Sequence, residues 1–439
     1  MIDVTFEHIF DADSFVKTLA FVPGDGQPEG EGGVVTGYGV INNRLVFTAF
    51  ESGNDISVPH GKKSVEKIIR TLESADARRA PFVLSLGGPS ADISDGQAAL
   101  AAYAKLLGAL APSARRIPVI FVSTGKCIGL HAAVASLCDF VIIPDGSAFG
   151  ASSELLTNID GKAHNVYRGV DRTFGSAVEL KDYLSALIGM LPDSVSSGTP
   201  RADFAGEFHS VAAASSGKTG AELILSLADA DSFVEIGALS GLETVTGFAR
   251  FGGFVSGVVA FDGSVHDGRV GPEGIRKLVR FLRFCVRFSV PFVILADFSG
   301  IYCSGADDCA SVPAELASLS ALLSDMRAGC CGSICVVCGK MCGQLAAVLS
   351  GFYHNIPGNI VYALEGSAVD AVDPAAGALM KYNSAIRSSA DPAAARKEYI
   401  AKYYNEHSRP EFAARSGLVD DIIAAEETRD RIIAYLKII

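Results

Sequence analysis

No apolar run in the 439-residue chain reaches the roughly 18 to 20 residues that a bilayer-spanning helix needs. A composition that is 49% hydrophobic is therefore assigned to folded cores and subunit interfaces. Basic charge is short too. Lys and Arg total 37 against 49 Asp and Glu, a net charge of −12, which argues against nucleic acid or an anionic membrane surface as partner. A local basic site for an anionic ligand is compatible with that balance. The amino terminus, MIDVTFEHIFDADSF, is acidic where a secretory signal would carry a basic and then an apolar region, so a cytoplasmic location is expected.

Familiar catalytic signatures are also missing. The chain has no GxSxG elbow, no HExxH and no GxGxxG that opens a helix after a strand. Its eight histidines are scattered. Among the ten cysteines, Cys330, Cys331, Cys335, Cys338 and Cys342 sit in apolar or Gly/Ala-rich context. Cys335 and Cys338 make one CxxC, but no second CxxC or paired histidines stand at zinc-site spacing. These thiols are read as small buried hydrophobes on a strand, SICVVCG, and no metal is expected.

What the chain does have is itself, twice. GKCIGLHAAVAS at 125–136 returns as GKMCGQLAAVLS at 339–350, and DADSFV at 11–16 recurs unchanged at 229–234. VTGYG pairs with VTGFA, PFVLSLGG with PFVILADFSG, and DGSAFGASSE with EGSAVDAVDP. The blocks keep their order at separations of 210 to 220 positions, so two tandem copies of one fold are expected. At this length two or three domains are the prior. Each copy reads as a Gly-rich hairpin (VVTGYGVINNRLVFTAF, TVTGFARFGGFVSGVVAF), then helix, buried strand, helix, buried strand, turn and helix. The class is α/β. The boundary is placed in 192–220, where Ser, Gly, Pro and Ala interrupt the hydrophobic periodicity. That gives domains of 1–205 and 206–439. The stretch from Pro410 onward is read as an amphipathic helical appendage.

The repeated turn carries the chemistry. Glycines permit a tight turn and close approach of another molecule, and a helix start leaves amide N–H groups without intrahelical partners. Such a turn is a donor nest for an anion, either a phosphate or an oxyanion such as a thioester enolate. A Walker loop requires GxxxxGK and then Ser or Thr, and here the lysine follows the first glycine. A purely structural role, tight packing of helix on sheet, competes with the anion reading, and the duplication weighs against it. His131, just inside the first turn, is either a ligand contact or a satisfied structural histidine. Asp307 and Asp308 are either a catalytic pair or part of a solvated loop.

These blocks resemble the carboxyltransferase subunits of biotin-dependent acyl-CoA carboxylases and acyl-CoA decarboxylases, over nearly the whole chain. GGVVTGYGVINNRLVF is similar to that family's N-half hairpin, and DADSFVEI with VTGFARFGGFVSGVVA to its C-half opening. RKLVRFLRFCVRFSVPFVILADFSG resembles the helix and strand leading to an Asp-x-x-Gly turn, here Asp297 to Gly300, and RPEFAARSGLVDDII resembles the closing motif. The resemblance implies two tandem crotonase-like domains of the ββα-spiral type. It implies that Gly129, Leu130 and His131 hold the acyl-CoA oxygen, and that Gly343, Gln344 and Leu345 hold the ureido oxygen of biotin. Gly87, Gly88, Lys126, Gly300 and Lys340 are the accompanying candidates for binding these groups. The family's turn ordinarily reads Gly-Pro-Cys-Ala-Gly-Gly-Ala, so Lys126 and Leu130 are departures, as is Gln344 in the second turn. No arginine follows Gly87 and Gly88 where the family has Ser-Gly-Gly-Ala-Arg.

The resulting expectation is an enzyme that moves a carboxyl group between carboxybiotin and the α carbon of a short-chain acyl-CoA. Biotin would arrive on a separate carrier protein, since the chain's Met-Lys, Met380-Lys381, stands in ALMKYN without the small flanking residues of a biotinyl acceptor. The family implies a biotin carboxylase or membrane decarboxylase subunits as partners, and a homo-oligomer of at least a dimer and up to a hexamer. The departures raise an alternative: a non-catalytic homologue that is a structural partner in such a complex.

Overall fold

The computed structural model describes residues 9–22, 33–51, 61–87, 97–150, 169–202, 219–326, 331–356 and 358–439. The chain divides into two compact units, Met1–Pro200 and Arg201–Ile439. Gly88, Cys330 and much of the interval assigned to the boundary lie outside the described residues.

The strands of the first unit are β1 (Val16–Thr18), β2 (Val34–Ile41), β3 (Arg44–Glu51), β4 (Phe82–Leu86), β5 (Val119–Ser123), β6 (Cys127–Ile128), β7 (Phe140–Pro144), β8 (Phe149–Gly150) and β9 (Arg172–Phe174). Its main sheet runs β1-β2-β3-β4-β5-β7-β9. The first three strands pair antiparallel and the rest parallel. Every residue of β4, β5 and β7 is buried, as expected for parallel strands covered on both faces. A contiguous core cluster in this unit includes Leu72, Phe82, Leu106 and Phe121.

The second unit repeats the plan with β10 (Val234–Ile236), β11 (Thr244–Phe251), β12 (Phe254–Phe261), β13 (Arg269–Val270), β14 (Phe292–Phe298), β15 (Gly300–Ile301), β16 (Ser333–Cys342), β17 (Ile360–Leu364), β18 (Ala368–Asp370) and β19 (Asp421–Ile423). Its sheet runs β10-β11-β12-β14-β16-β17-β19, with β18 paired to β16. The helix Pro272–Arg287 turns Ile275, Leu278, Leu282 and Cys285 inward at three- and four-residue spacing. The Glu243 carboxylate accepts the Gly271 and Gly274 N–H groups at 3.0 and 3.1 Å and so holds the start of that helix.

The unchanged hexapeptide DADSFV has a physical explanation. In the first copy Ser14 Oγ donates to the Asp11 carbonyl at 2.7 Å and accepts the Val40 N–H at 3.1 Å. In the second, Ser232 Oγ donates to the Asp229 carbonyl at 2.7 Å and accepts the Arg250 N–H at 3.1 Å. The same hydroxyl therefore ties the incoming chain to the same hairpin. The phenylalanine explains the partner block VTG. A Cβ on Gly37 would lie 2.4 Å from the Val16 carbonyl and 2.7 Å from the Phe15 ring, and one on Gly247 would lie 2.3 Å from the Val234 carbonyl and 2.7 Å from the Phe233 ring. Only glycine fits beneath that edge strand.

Two expectations change. The segment after Pro410 is not wholly helical: helices Pro410–Arg415 and Thr428–Leu436 flank β19, which pairs in parallel with β17. Ile422 and Ile423 are β-branched and half-buried or buried, and the open edge of β17 supplies hydrogen bonds that the local helical periodicity could not reveal. Asp307 and Asp308 sit in the first turn of the helix Ala306–Asp325 rather than in a loop, and Asp308 accepts the Ser304 N–H at 2.9 Å. Among the described residues no helix is long and apolar enough to cross a membrane.

Candidate functional site

The two repeated turns are built the same way. In the first unit β6 pairs in parallel with β8 and matches Ile128 with Gly150. Gly129 follows at φ 61° and ψ −125° and caps the helix Leu130–Leu137. In the second unit β16 pairs with β18 and matches Cys342 with Asp370. Gly343 follows at φ 86° and ψ −157° and caps the helix Gln344–Asn355. These conformations are ones a side chain resists.

The small ladders decide which donors are left. The Gly129 N–H donates to the Gly150 carbonyl at 3.0 Å, and the Gly343 N–H donates to the Asp370 carbonyl at 3.2 Å. The first uncommitted amide in each turn is thus that of the next residue. Neither the Leu130 nor the Gln344 N–H has an acceptor among the described residues. A helix start with its dipole aimed the same way adds partial positive charge at both places.

Leu130 is half-buried and packs against the core of its own unit, while Gln344 is exposed. Leu345 is fully buried in the second unit. His131 is 0% exposed, and its Nε2 meets the Tyr103 hydroxyl at 2.8 Å. Its side chain is enclosed within the first unit. Burial, and then the negative charge of Glu51, hold the Tyr103 hydroxyl in its protonated form. Glu51 Oε2 accepts the Gly87 N–H at 2.5 Å and the Thr124 hydroxyl at 3.2 Å, so the Gly87 amide is spent on the scaffold. Lys126 is exposed.

In the second unit a different carboxylate does this work. Asp297, at the end of β14, accepts the Lys340 N–H at 2.9 Å. It lies so close to Gly339 that a Cβ there would be 2.3 Å from Oδ1. The Lys340 ammonium reaches Asp373 at 2.6 Å, and Asp373 caps the helix Pro374–Ser388. Gly300, at φ 143°, comes to the front of the turn: a Cβ on Gly343 would lie 3.3 Å from the Gly300 Cα. Sequence reasoning missed Glu51 and the clamping role of Asp297. The available signal was an acidic residue at the carboxyl end of a buried strand.

Burial raises the Asp297 carboxyl above the usual range, and the Lys340 N–H and charge only partly offset this. The stability it contributes is therefore full below the unfolded-state value, near pH ~4, and is lost as pH rises through ionisation in the folded state. D297N keeps the acceptor but cannot ionise. Urea titrations are expected to show this variant gaining on the wild type as pH rises above ~4. A constant difference would mean the carboxyl titrates as an exposed one.

A cavity of about 850 Å³ opens beside the second turn, lined by Lys340, Ser367, Pro374, Lys397, Tyr404 and Glu426 among others. Its size is in the range of small-molecule sites. The Ser367 hydroxyl is buried with no hydrogen-bond partner among the described residues. Burial pushes the Cys127 and Cys342 thiols up to about 12, which keeps them in the protonated form. The CxxC pair is also buried, and the described residues contain no cluster able to hold a metal ion.

The geometry can be set beside known proteins. A model of the carboxyl transferase domain matches residues 2–439. A putative propionyl-CoA carboxylase beta chain of Bacillus subtilis is 25% identical, the match covering 97% of this chain and 87% of that protein. The methylmalonyl-CoA carboxyltransferase 12S subunit of Propionibacterium freudenreichii subsp. shermanii is 25% identical over 96% and 82%, and the methylmalonyl-CoA decarboxylase subunit alpha of Veillonella parvula 26% over 98% and 88%. The transcarboxylase 12S crystal structure, a hexamer with methylmalonyl-coenzyme A and methylmalonic acid bound, superposes with a TM-score of 0.84 at 22% identity and covers 99% of this chain and 88% of that one. The crotonase-like fold is thereby shared.

Proposed function

Since the chain belongs to the carboxyl transferase domain family, we infer that it is the carboxyltransferase subunit of a biotin-dependent complex and acts on a short-chain acyl-CoA. The observation that carries this reading is the duplicated turn. Two glycine-started helices, each fixed by the same ladder, leave an uncommitted amide at corresponding positions, Leu130 and Gln344. Two chemically similar oxyanions are what such a pair serves.

In this reading the turn at Gly129, Leu130 and His131 receives the thioester oxygen of the acyl-CoA through backbone amides. As the α carbon becomes nucleophilic, charge moves onto that oxygen, and fixed N–H dipoles stabilise it without reorganising. The turn at Gly343, Gln344 and Leu345, with Lys340 and Gly300 beside it, would hold biotin. The residues fit that group: Gly343 and Gly300 leave a cradle that a Cβ would occupy, and the cavity beside Lys340 is roomy and partly apolar. Biotin, when bound, supplies the ureido nitrogen that carries the carboxyl. Lys126, exposed beside the first turn, would meet an anionic part of the CoA ester.

The packing of Leu130 against the core of its own unit is compatible with an open first turn and supports the catalytic reading. Because Gln344 would act through its amide, Q344G is expected to leave kcat near the wild-type value. A large loss would show that its side chain has a role. The relatives act in carboxylase, transferase and decarboxylase systems, and the partners proposed here are a biotin carrier protein with a biotin carboxylase or membrane decarboxylase subunits. A homo-oligomer of at least a dimer goes with that arrangement.

The test is a spectrophotometric decarboxylation assay of the purified protein with malonyl-CoA, methylmalonyl-CoA and glutaconyl-CoA, each with and without free biotin. Biotin-dependent loss of carboxylate from one ester is expected and would identify the substrate. No turnover with any ester, beside a control subunit that works, would overturn the catalytic reading.

A further inference from the structure

The repeat that pairs DGSAFGASSE with EGSAVDAVDP breaks at an informative position: Gly150 in the first copy is Asp370 in the second. Both residues end the short strand whose carbonyl engages the turn glycine, Gly150 for Gly129 at 3.0 Å and Asp370 for Gly343 at 3.2 Å. Only the second copy has a side chain there to be held. β18 needs holding, because its three residues pair with β16 alone among the described residues.

A turn from far along the chain does this. The helix Pro392–Tyr403 runs on into a π-helical turn, Tyr404–Ser408, a form that occurs mostly as single turns and often at functional sites. The Tyr404 hydroxyl donates to the Ser367 carbonyl at 3.2 Å, and the Ser408 hydroxyl donates to Asp370 Oδ2 at 2.5 Å. One turn thus grips β18 just before its first residue and at its last. Ser408 is 0% exposed. The grip is itself anchored: Glu406 accepts the Tyr382 hydroxyl at 2.6 Å and pairs with Lys381 at 3.1 Å. Tyr403 packs so closely on the helix Pro374–Ser388 that a Cβ on Gly377 would lie 2.3 Å from its ring.

We propose that Ser408 is a positioning residue for carboxyl transfer: through the Asp370 carboxylate it fixes the carbonyl that engages the Gly343 N–H, and so aims the Gln344 N–H at the oxyanion. This rests on the reading of the second turn as an oxyanion site. The bond from Ser408 is charge-assisted and therefore stronger than a neutral one. The other Asp370 oxygen accepts the Ala371 N–H at 2.6 Å, so the side chain is held from two directions. Without the Ser408 hydroxyl the end of β18 is secured only by its ladder to β16, and the Gly343 amide loses a fixed acceptor.

The first turn serves as an internal control. The experiment compares S408A, D370A and D370N with the wild type by hydrogen exchange of the full chain, read by mass on the peptides that span each turn. In S408A and D370A the Gly343 amide is expected to exchange severalfold faster, with the Gly129 amide unchanged. D370N keeps an acceptor for the Ser408 hydroxyl and is expected to keep the protection. In the biotin-dependent assay S408A is expected to lower kcat by up to about 10²-fold, the penalty for a misplacement of about 1 Å. The KM for the CoA ester should stay within a few-fold of wild type, because the first turn holds that substrate. Unchanged exchange at Gly343, acceleration at both turns alike, D370N as impaired as D370A, or a rise in KM with kcat intact would each overturn the proposal. Exchange is read without turnover, so a chain inert toward every ester would count against the carboxyl-transfer reading alone.

Discussion

Replacing Gly343 by valine is expected to lower biotin-dependent carboxyl transfer by about 10²–10³-fold in kcat, the usual consequence of displacing one oxyanion donor. Two independent constraints meet at this residue. Its φ of 86° and ψ of −157° are open to glycine and resisted by a branched side chain, and the new Cβ would press at 3.3 Å on the Gly300 Cα. The helix start must shift, and the Gln344 amide moves with it. A strained backbone of this kind costs on the order of 1–3 kcal/mol, so the variant should still fold, which circular dichroism would check. Turnover within a few-fold of wild type would remove the second turn from the chemistry. G129V is the matching change in the first unit, where φ is 61°.

The largest expected loss of stability comes from a residue far along the chain from its partner. Arg429 is 3% exposed, pairs with Asp229 at 2.5 Å, and also donates to the Leu227 carbonyl. Asp229 in turn accepts the Gly252 and Gly253 N–H groups at 2.9 and 2.7 Å, so one carboxylate joins the carboxyl-terminal helix to the turn of the β11–β12 hairpin. Truncation to alanine removes the ion-pair partner of this largely buried carboxylate and leaves Arg250 as the cation acting on it. R429A is expected to destabilise the second unit by about 3–5 kcal/mol, read as a fall in the urea midpoint. A cost under about 1 kcal/mol would place this pair with ordinary surface ion pairs.

Much of this was readable from residues alone, because repetition made local signals visible twice. DADSFV and its VTG partner marked the same clamp in each half, and the GK turn marked the same nest. What stayed hidden needed contacts distant in sequence. Glu51 and Gly87 meet across 36 positions and Asp297 and Lys340 across 43, and no spacing rule joins them. β19 was missed because three residues, Asp421–Ile423, carry too few positions to show a period of two. Leu130 and Gln344 read as departures, and only the fold shows the first half-buried against a core and the second exposed. The turns read as donor nests, and the ladders to Gly150 and Asp370 show that the Gly129 and Gly343 amides within them are engaged.

The late arrival of β19 has a consequence for synthesis. In the first unit the outermost parallel strand, β9, is complete by Phe174, so that sheet can close while the second unit is still emerging from the ribosome. In the second unit β17 ends at Leu364, yet its neighbour does not exist until Asp421–Ile423 has been translated. For that interval Ile360–Leu364 presents an unpaired, largely apolar edge, the kind of surface that recruits strands from other chains. A ribosome stalled in the α-helical stretch before residue 421 would expose it for longer, and that nascent chain is the one a chaperone has most reason to shield.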